Sequence, residues 1–208
     1  MSVYSLFEKT GVLSWGGRLR LPIIVLLVSS GCAHLKVPLC YHRTFESLNG
    51  SIVVSEWGKP GTDSEGECVE VRMDRFDGES SKCQFEVWGR VTDSWVSDLD
   101  ACGTPEAVVV SQSFGTGSYG DVFVVTRAAG LIPVMMPELA DSIEKGYMGH
   151  DEFYLDGARN IVRIFPIYAA GDGNCCPSGG VRKIVYAFKN RQLVPVEHYD
   201  FRKQSPAL

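Results

Sequence analysis

The side chains best suited to bind a cation lie between Asp98 and Glu106. The stretch DLDACGTPE places carboxylates at Asp98, Asp100 and Glu106, and alternating oxygen ligands of this kind are typical of calcium loops. The third alternate position is Cys102, and a thiol is poorly matched to calcium. Aspartates in such turns also accept hydrogen bonds from backbone amides and so cap the strand that follows. The pattern favours this capping role, with Asp98, Asp100 and Glu106 as weak candidate metal ligands.

Sequence motifs for catalysis are weak. The four histidines, His34, His42, His150 and His198, lie outside recognised nucleophile and metal motifs. Ser118 lacks the Gly-x-Ser-x-Gly setting of a hydrolase elbow. Carboxylates that pair only in space, as in glycosidases, are not visible in a sequence. We therefore expect a protein that is not an enzyme and that needs no cofactor.

A loop rich in glycine and hydroxyl groups separates two apolar runs in VVVSQSFGTGSYGDVFVVT, residues 108–126. Its three glycines permit positive φ angles and close backbone approach. The loop can therefore protrude and display Thr116, Ser118 and Tyr119 at its tip. An ordinary long hairpin loop with polar residues facing water is the alternative.

The region before Cys32 has the character of a targeting segment. Arg18 and Arg20 precede an apolar run at 22–28, which is followed by Ser-Ser-Gly-Cys. This is the arrangement of a bacterial lipoprotein signal, and the run is too short to span a bilayer. We expect residues 1–31 to be a signal peptide, Cys32 to carry a lipid anchor to the membrane, and the protein to lie in the periplasm.

The other six cysteines fit an exported protein, because an even set suggests disulfides and secretion permits them. The six disulfide candidates are Cys40, Cys68, Cys83, Cys102, Cys175 and Cys176. A turn near Asp77-Gly78 predicts that Cys68 and Cys83 face each other across a hairpin. A zinc site is disfavoured, because the chain contains no Cys-x-x-Cys ligand arm.

The adjacent pair Cys175 and Cys176 lies in a second glycine-rich loop, GDGNCCPSGG. Neighbouring cysteines do not readily pair with each other. We therefore expect this loop to be fastened to two other segments, with Cys102 and Cys40 as the candidate partners.

The charge of the chain limits its partners. The chain has 20 basic and 25 acidic residues. Removing residues 1–31 takes away three basic residues and one acidic residue, which leaves a net charge of −7. Such a surface disfavours nucleic acid and anionic membranes and favours cationic partners. Moderate acidity also serves solubility alone.

Short strands dominate the elements that would position these residues. The turn sequences LDGARN and KNRQ separate successive runs, and this spacing indicates a mainly β protein, an antiparallel β-sandwich or barrel. MPELADSIEKGY, Met136 to Tyr147, predicts one short crossover helix. The predicted strands are Ser51–Trp57, Cys68–Met73, Cys83–Val91, Ala107–Gln112, Asp121–Thr126, Asp151–Leu155, Ile161–Ile167, Arg182–Phe188 and Leu193–Tyr199.

This patterning predicts a single β domain at residues 51–201. Residues 32–50 lack strand patterning and are expected to form a tether, and 202–208 a tail. The length suits one domain with a substantial core.

Four segments resemble, in their order, the family of periplasmic inhibitors of invertebrate-type lysozyme. They are DLDACGTPE, SFGTGSYGDV, GYMGHDEFYLDG and FPIYAAGDGNCCPSGGVRKIVY, and the resemblance covers roughly residues 91–186. In that family a Ser-Gly-containing loop ending in tyrosine enters the lysozyme cleft. The resemblance implies that Thr116, Gly117, Ser118 and Tyr119 form this loop here, with threonine in place of the family's serine at 116.

The resemblance implies lysozyme, most simply the invertebrate type, as the partner. Hydroxyl donors on the loop can hydrogen-bond the paired carboxyls of a lysozyme cleft, and Tyr119 can act as an aromatic anchor. Arg182, which follows the second glycine-rich loop, is a further candidate contact. The sequence leaves open whether the chain forms a homodimer. The alternative functions are a calcium-stabilised adhesive or structural lipoprotein and a peptidoglycan-modifying enzyme.

Overall fold

The computed structural model describes residues 39–47, 50–58, 67–127 and 130–201. This part is mainly β, as the sequence predicts, and its sheets are stacked rather than closed into a barrel. No helix within these ranges is long and apolar enough to cross a membrane. The elements are β1 (Leu39–Ser47), β2 (Gly50–Trp57), β3 (Glu67–Arg75), β4 (Ser80–Val87), β5 (Arg90–Ser97), β6 (Glu106–Gln112), β7 (Gly120–Thr126), β8 (Ile132–Met135), α1 (Asp141–Glu144), β9 (Glu152–Leu155), β10 (Ile161–Ile167), β11 (Gly180–Lys189) and β12 (Gln192–Phe201).

The strands form three antiparallel sheets, each built from four consecutive strands. The first sheet has the order β1-β2-β3-β4, the middle sheet β5-β6-β7-β8, and the third sheet β12-β11-β10-β9. Within each sheet, strands that are consecutive in the chain pair with each other, as in a meander.

The middle sheet buries both of its faces. Val109 and Val125 pack against the first sheet, while Val108 and Val124 pack against the third, and all four are fully buried. This explains why the sequences of β6 and β7 are nearly continuous apolar runs, since a strand that is covered on both sides has no solvent-exposed face. The protein is thus a β-sandwich with a third layer.

Three strands lie wholly or largely outside the predicted ones: β1, β8 and β5, of which only Arg90 and Val91 fall within a predicted strand. β1 lies within the segment predicted as a tether, 32–50, and that prediction is wrong for Leu39–Ser47. Most of its side chains are exposed because β1 is an edge strand, so the alternation that marks a half-buried strand is weak. The short edge strand β8 also escaped detection, since Pro133 interrupts its pattern.

The predicted helix and one predicted strand have different bounds. Only Asp141–Glu144 is helical within the predicted Met136–Tyr147, and none of its residues is buried, so packing does little to extend it. The predicted strand Cys83–Val91 is broken at Gly89, which has φ 85°. A Cβ at Gly89 would lie 1.9 Å from the carbonyl oxygen of Gln112, and the chain uses this close approach to pass from the first sheet to the middle one.

The disulfide predicted between Cys68 and Cys83 is wrong. In the β3–β4 ladder Cys68 lies opposite Glu86, while Cys83 lies opposite Val71. Because side chains alternate along a strand, Cys83 faces the core with Val71 and Cys68 faces the other side of the sheet. The hairpin turn is displaced from the midpoint between the two cysteines, and no disulfide joins the cysteines in the ranges that the structure describes.

Candidate protein-binding site at the β6–β7 loop

The loop between β6 and β7, residues 113–119, closes on itself at its base. The Ser113 amide donates to the Tyr119 carbonyl at 2.8 Å, and the Tyr119 amide donates to Ser113 Oγ at 3.0 Å. Gly115 has φ 109° and Ser118 has φ 42°, so the chain turns through left-handed conformations that glycine accepts most easily. These bonds fix the two ends of the loop.

The tip of this loop is apolar as well as hydroxyl-bearing. Tyr119 is 51% exposed and Phe114 is 40% exposed, and Thr116 is exposed between them. Gly117 and Ser118 are only half-buried. Of the side chains expected at the tip, Thr116 and Tyr119 are therefore exposed, whereas Ser118 is half-buried. Exposed aromatic residues beside a polar one are typical of interface anchors.

The segment between α1 and β9 supports the loop from one side. The His150 amide donates to the Gly117 carbonyl at 2.5 Å. Gly149, with φ 85°, approaches so closely that a Cβ there would lie 2.0 Å from that same carbonyl oxygen. The Tyr119 ring meets the Tyr147 ring edge-on at 5.6 Å. The loop is therefore held in place before any partner binds.

The β10–β11 loop supports it from another side. Asn174 Nδ2 donates to the Thr116 carbonyl at 3.2 Å, and Asn174 Oδ1 lies 3.4 Å from His150 Nε2. Asp172 organises this second loop, because its carboxylate accepts hydrogen bonds from the Ala169 amide and from the amide and hydroxyl of Ser178. The amide bonds, from Ser178 first, hold the pKa of Asp172 below its usual value.

A buried ion pair lies beneath the loop. Arg163 Nε donates to Asp151 Oδ1 at 2.7 Å, and both side chains are almost fully buried. Asp151 Oδ2 accepts bonds from the Tyr147 hydroxyl at 2.5 Å and from the Gly120 amide at 2.8 Å. Burial and the neighbouring Asp151 charge raise the pKa of Tyr147, so its hydroxyl remains a donor. Removing one partner of such a pair would leave an uncompensated buried charge. Since Asp151 also accepts the Gly120 amide, the network fixes the start of β7, where the loop ends.

A groove of about 530 Å³ borders this assembly on the third sheet. It lies next to both supporting segments, since His150 and Asn174 line it. Its other walls include Tyr168, Cys175, Pro177 and Phe201.

Arg182 is not available to a partner in the way that the sequence suggested. Its Nε and Nη2 atoms donate to the Asp200 carboxylate at 2.6 and 2.7 Å, and Nη1 donates to the Ile143 carbonyl. The side chain is 11% exposed, and the hydrogen bonds to Asp200 raise its pKa. It ties β11 and β12 to the α1 segment and is a structural residue.

The Asp98–Glu106 segment lies at the opposite end of β6 from the loop. One ligand atom each from Asp98, Asp100 and Cys102 lie within 4.8 Å of one another. The Asp98 carboxylate accepts the Gly103 amide at 3.2 Å, and Asp100 accepts the Cys102 amide at 3.1 Å. These are the backbone-capping bonds that the sequence favoured.

Glu106 does not join the Asp98 cluster. Its side chain is fully buried, and Oε2 accepts the Leu99 amide at 2.8 Å. Burial raises its pKa from the usual 4.5 to about 7. The prediction of Glu106 as a metal ligand is wrong, because its carboxyl caps the chain from the inside.

Sequence reasoning missed the residues that hold the loop: Tyr147, Gly149, His150, Asp151, Arg163 and Asn174. One signal was present, since Arg163 is the only charged residue in the apolar run IVRIFPI, and a charge in a buried strand needs a partner. Cys32 lies outside the described residues.

No family model matches this chain, and no similar protein is found among curated proteins or solved structures. The function of the protein is therefore inferred from the site itself and from the sequence segments that surround it.

Proposed function

We propose that this protein is a lysozyme inhibitor of the cell envelope. The β6–β7 loop, with Thr116, Gly117, Ser118 and Tyr119, enters the active-site cleft of an invertebrate-type lysozyme and blocks substrate, and the protein performs no catalysis itself. The main support is that this loop presents Phe114, Thr116 and Tyr119 outward while two other segments hold its backbone. The resemblance of residues 91–186 to the inhibitor family supports the same function.

Pre-organisation is the physical advantage of this arrangement. A loop that is already ordered loses little conformational entropy on binding, so more of its contact energy appears as affinity. The hydrogen bonds to the Gly117 and Thr116 carbonyls keep the tip in one shape. The Thr116 hydroxyl can then donate to a cleft carboxylate, while Tyr119 fills an apolar subsite.

The proposed location and charge fit the same partner. The lipid anchor at Cys32 would hold the protein in the periplasm, where a lysozyme attacks the wall. Lysozymes are usually cationic, and the net charge of −7 calculated for residues 32–208 would accelerate their encounter with this protein.

Inhibition assays test the proposal directly. We expect residues 32–208 to inhibit lysis of cell walls by an invertebrate-type lysozyme, with vertebrate- and goose-type lysozymes measured in parallel to define the range of targets. Release of soluble wall fragments by the protein alone measures catalysis. Absence of inhibition of all three lysozymes, or turnover by the protein itself, would refute the assignment.

The calcium-stabilised alternative has one observation in its favour, the proximity of Asp98, Asp100 and Cys102. Backbone amides already use the two carboxylates, so we expect the melting temperature to be the same in millimolar calcium and in chelator. A calcium-dependent rise of several degrees would instead favour the structural lipoprotein, because a ligand of the folded state stabilises it.

A further inference from the structure

Cys175 and Cys176 are adjacent, and both are exposed. Interaction with the neighbouring Cys175 thiol is the main cause that raises the pKa of Cys176. The two residues lie at the end of a turn that is closed by the Cys176 amide, which donates to the Gly173 carbonyl at 2.9 Å.

The other described cysteines are not placed to pair with them. Cys102 lies in the β5–β6 loop, whereas Asn174 contacts the β6–β7 loop at the other end of β6. Seven residues of strand separate these ends, roughly 20 Å, far beyond the reach of a disulfide. Cys40 belongs to the first sheet, where its thiol donates to the Gly58 carbonyl at 3.3 Å. The expected links from Cys175 and Cys176 to Cys102 and Cys40 are not formed.

The turn that carries the two thiols is connected to the binding loop. Asn174 immediately precedes Cys175 and donates to the Thr116 carbonyl. The other side of the same amide meets His150, whose own backbone amide donates to Gly117. A change in the backbone at 173–176 would therefore alter the contact of the Asn174 side chain with the β6–β7 loop.

We propose that Cys175 and Cys176 are a redox-active dithiol, which closes to a disulfide by exchange with low-molecular-weight disulfides such as oxidised glutathione and thereby releases Asn174 from Thr116. One cysteine thiolate attacks glutathione disulfide and expels a glutathione thiolate, which leaves a mixed disulfide. The neighbouring thiolate attacks the protein sulfur of that mixed disulfide and expels the second glutathione thiolate. The two cysteine protons end on the two glutathiones, so the dithiol is oxidised and one glutathione disulfide is reduced.

Ring closure must change the turn. Adjacent Cα atoms lie about 3.8 Å apart across a trans peptide bond, closer than in ordinary disulfides, which is why neighbouring cysteines pair only with strain. We expect this strain to distort the peptide bond between them and to break the bond from the Cys176 amide to Gly173. Strain of this kind makes a disulfide easy to reduce, so the step is reversible. The loss of the turn displaces Asn174, which is the contact that the β6–β7 loop needs on this side.

The test uses the full mature chain, reduced and then incubated with oxidised glutathione, with remaining thiols alkylated before peptide mass mapping. We expect the wild-type peptide to contain Cys175 joined to Cys176 and no glutathione. Cys176→Ser should keep a stable glutathione adduct on Cys175. Cys102, an exposed thiol distant from the pair, is the internal control and should also keep its adduct.

Hydrogen exchange tests the link to the binding loop. Oxidation of the wild type should accelerate exchange of the His150 amide by about fivefold or more, because its acceptor loop loosens, and dithiothreitol should reverse it. Cys176→Ser should show no acceleration. Stable glutathione adducts on the wild-type pair, bonds from the pair to other cysteines, or an unchanged His150 amide would each overturn the proposal.

The expected effect on inhibition rests on the proposed function. Inhibition assays on the same samples distinguish a failure of the proposed function from a failure of the dithiol proposal. We expect oxidised protein to inhibit lysozyme at least tenfold less well than reduced protein, a loss of about 1.4 kcal/mol. Ring closure in a protein that inhibits no lysozyme would refute the function alone. Inhibition with no ring closure would refute the dithiol alone.

Discussion

Tyr119 combines exposure with support, which is what distinguishes an anchor from a mobile surface residue. Half of its side chain faces solvent, while its ring packs edge-on against Tyr147. We expect Tyr119→Ala to weaken lysozyme inhibition by about 2 kcal/mol or more, with the free energy of unfolding nearly unchanged. The matched control is Phe76→Ala, an aromatic residue that is 75% exposed in the β3–β4 turn. Equal inhibition by both variants would place the anchor elsewhere.

Glu106 makes stability depend on pH. Its pKa in the folded protein, about 7, lies above its usual 4.5, so folding favours the protonated carboxyl. The protonated Glu106 carboxyl makes its full contribution to the free energy of unfolding below pH 4.5, and this contribution is lost as the pH rises through 7. Between these limits we expect the free energy of unfolding to fall by about 3 kcal/mol relative to Glu106→Gln. Denaturation by urea at several pH values measures this difference, and parallel curves for the two proteins would contradict it.

At the scale of elements, three loops depend on one another. Gly149→Ala would push a Cβ into the Gly117 carbonyl, so we expect lost inhibition and a lower unfolding free energy. Gly103→Ala is a close control because Gly103 has nearly the same φ, 87° against 85°, and nothing lies within 4 Å of its Cβ position. The control should cost only the backbone strain, about 1 kcal/mol, and should inhibit normally. Similar inhibition by both variants would mean that the close approach does not shape the loop.

At the scale of the whole molecule, the middle sheet distinguishes this fold from a two-layer sandwich. Val108 and Val109 face opposite sides and are both fully buried. Each substitution to alanine should therefore lower the unfolding free energy by about 2 kcal/mol. The neighbours Leu193 and Val194 on β12 are the control, since Leu193 is 4% exposed and Val194 38%. Leu193→Ala should be costly and Val194→Ala nearly neutral, and a neutral result at Val108 or Val109 would mean that one side of the middle sheet is open.

Local patterns in the sequence determined the strands and much of the connectivity. Ile161–Ile167 has the same bounds in prediction and structure, and most other predicted strands differ by one to three residues at an end. The alternation of apolar and polar residues and the turn residues depend only on neighbours in the chain, so they can be recognised from the sequence alone. The exposure of Thr116 and Tyr119 was predictable for the same reason, because glycines make the loop protrude locally.

The tertiary structure alone decided which distant segments meet. The register of β3 and β4 places Cys68 and Cys83 on opposite faces of the sheet. The Asp200 carboxylate accepts hydrogen bonds from Arg182. The support of the β6–β7 loop by His150, Asn174 and the Asp151–Arg163 pair joins residues 12 to 58 positions apart along the chain. Apolar burial drives the sheets together without direction, whereas hydrogen bonds and ion pairs require particular distances. Only the stacking of the sheets brings those polar partners within hydrogen-bonding distance, and no local sequence pattern indicates which of them will meet.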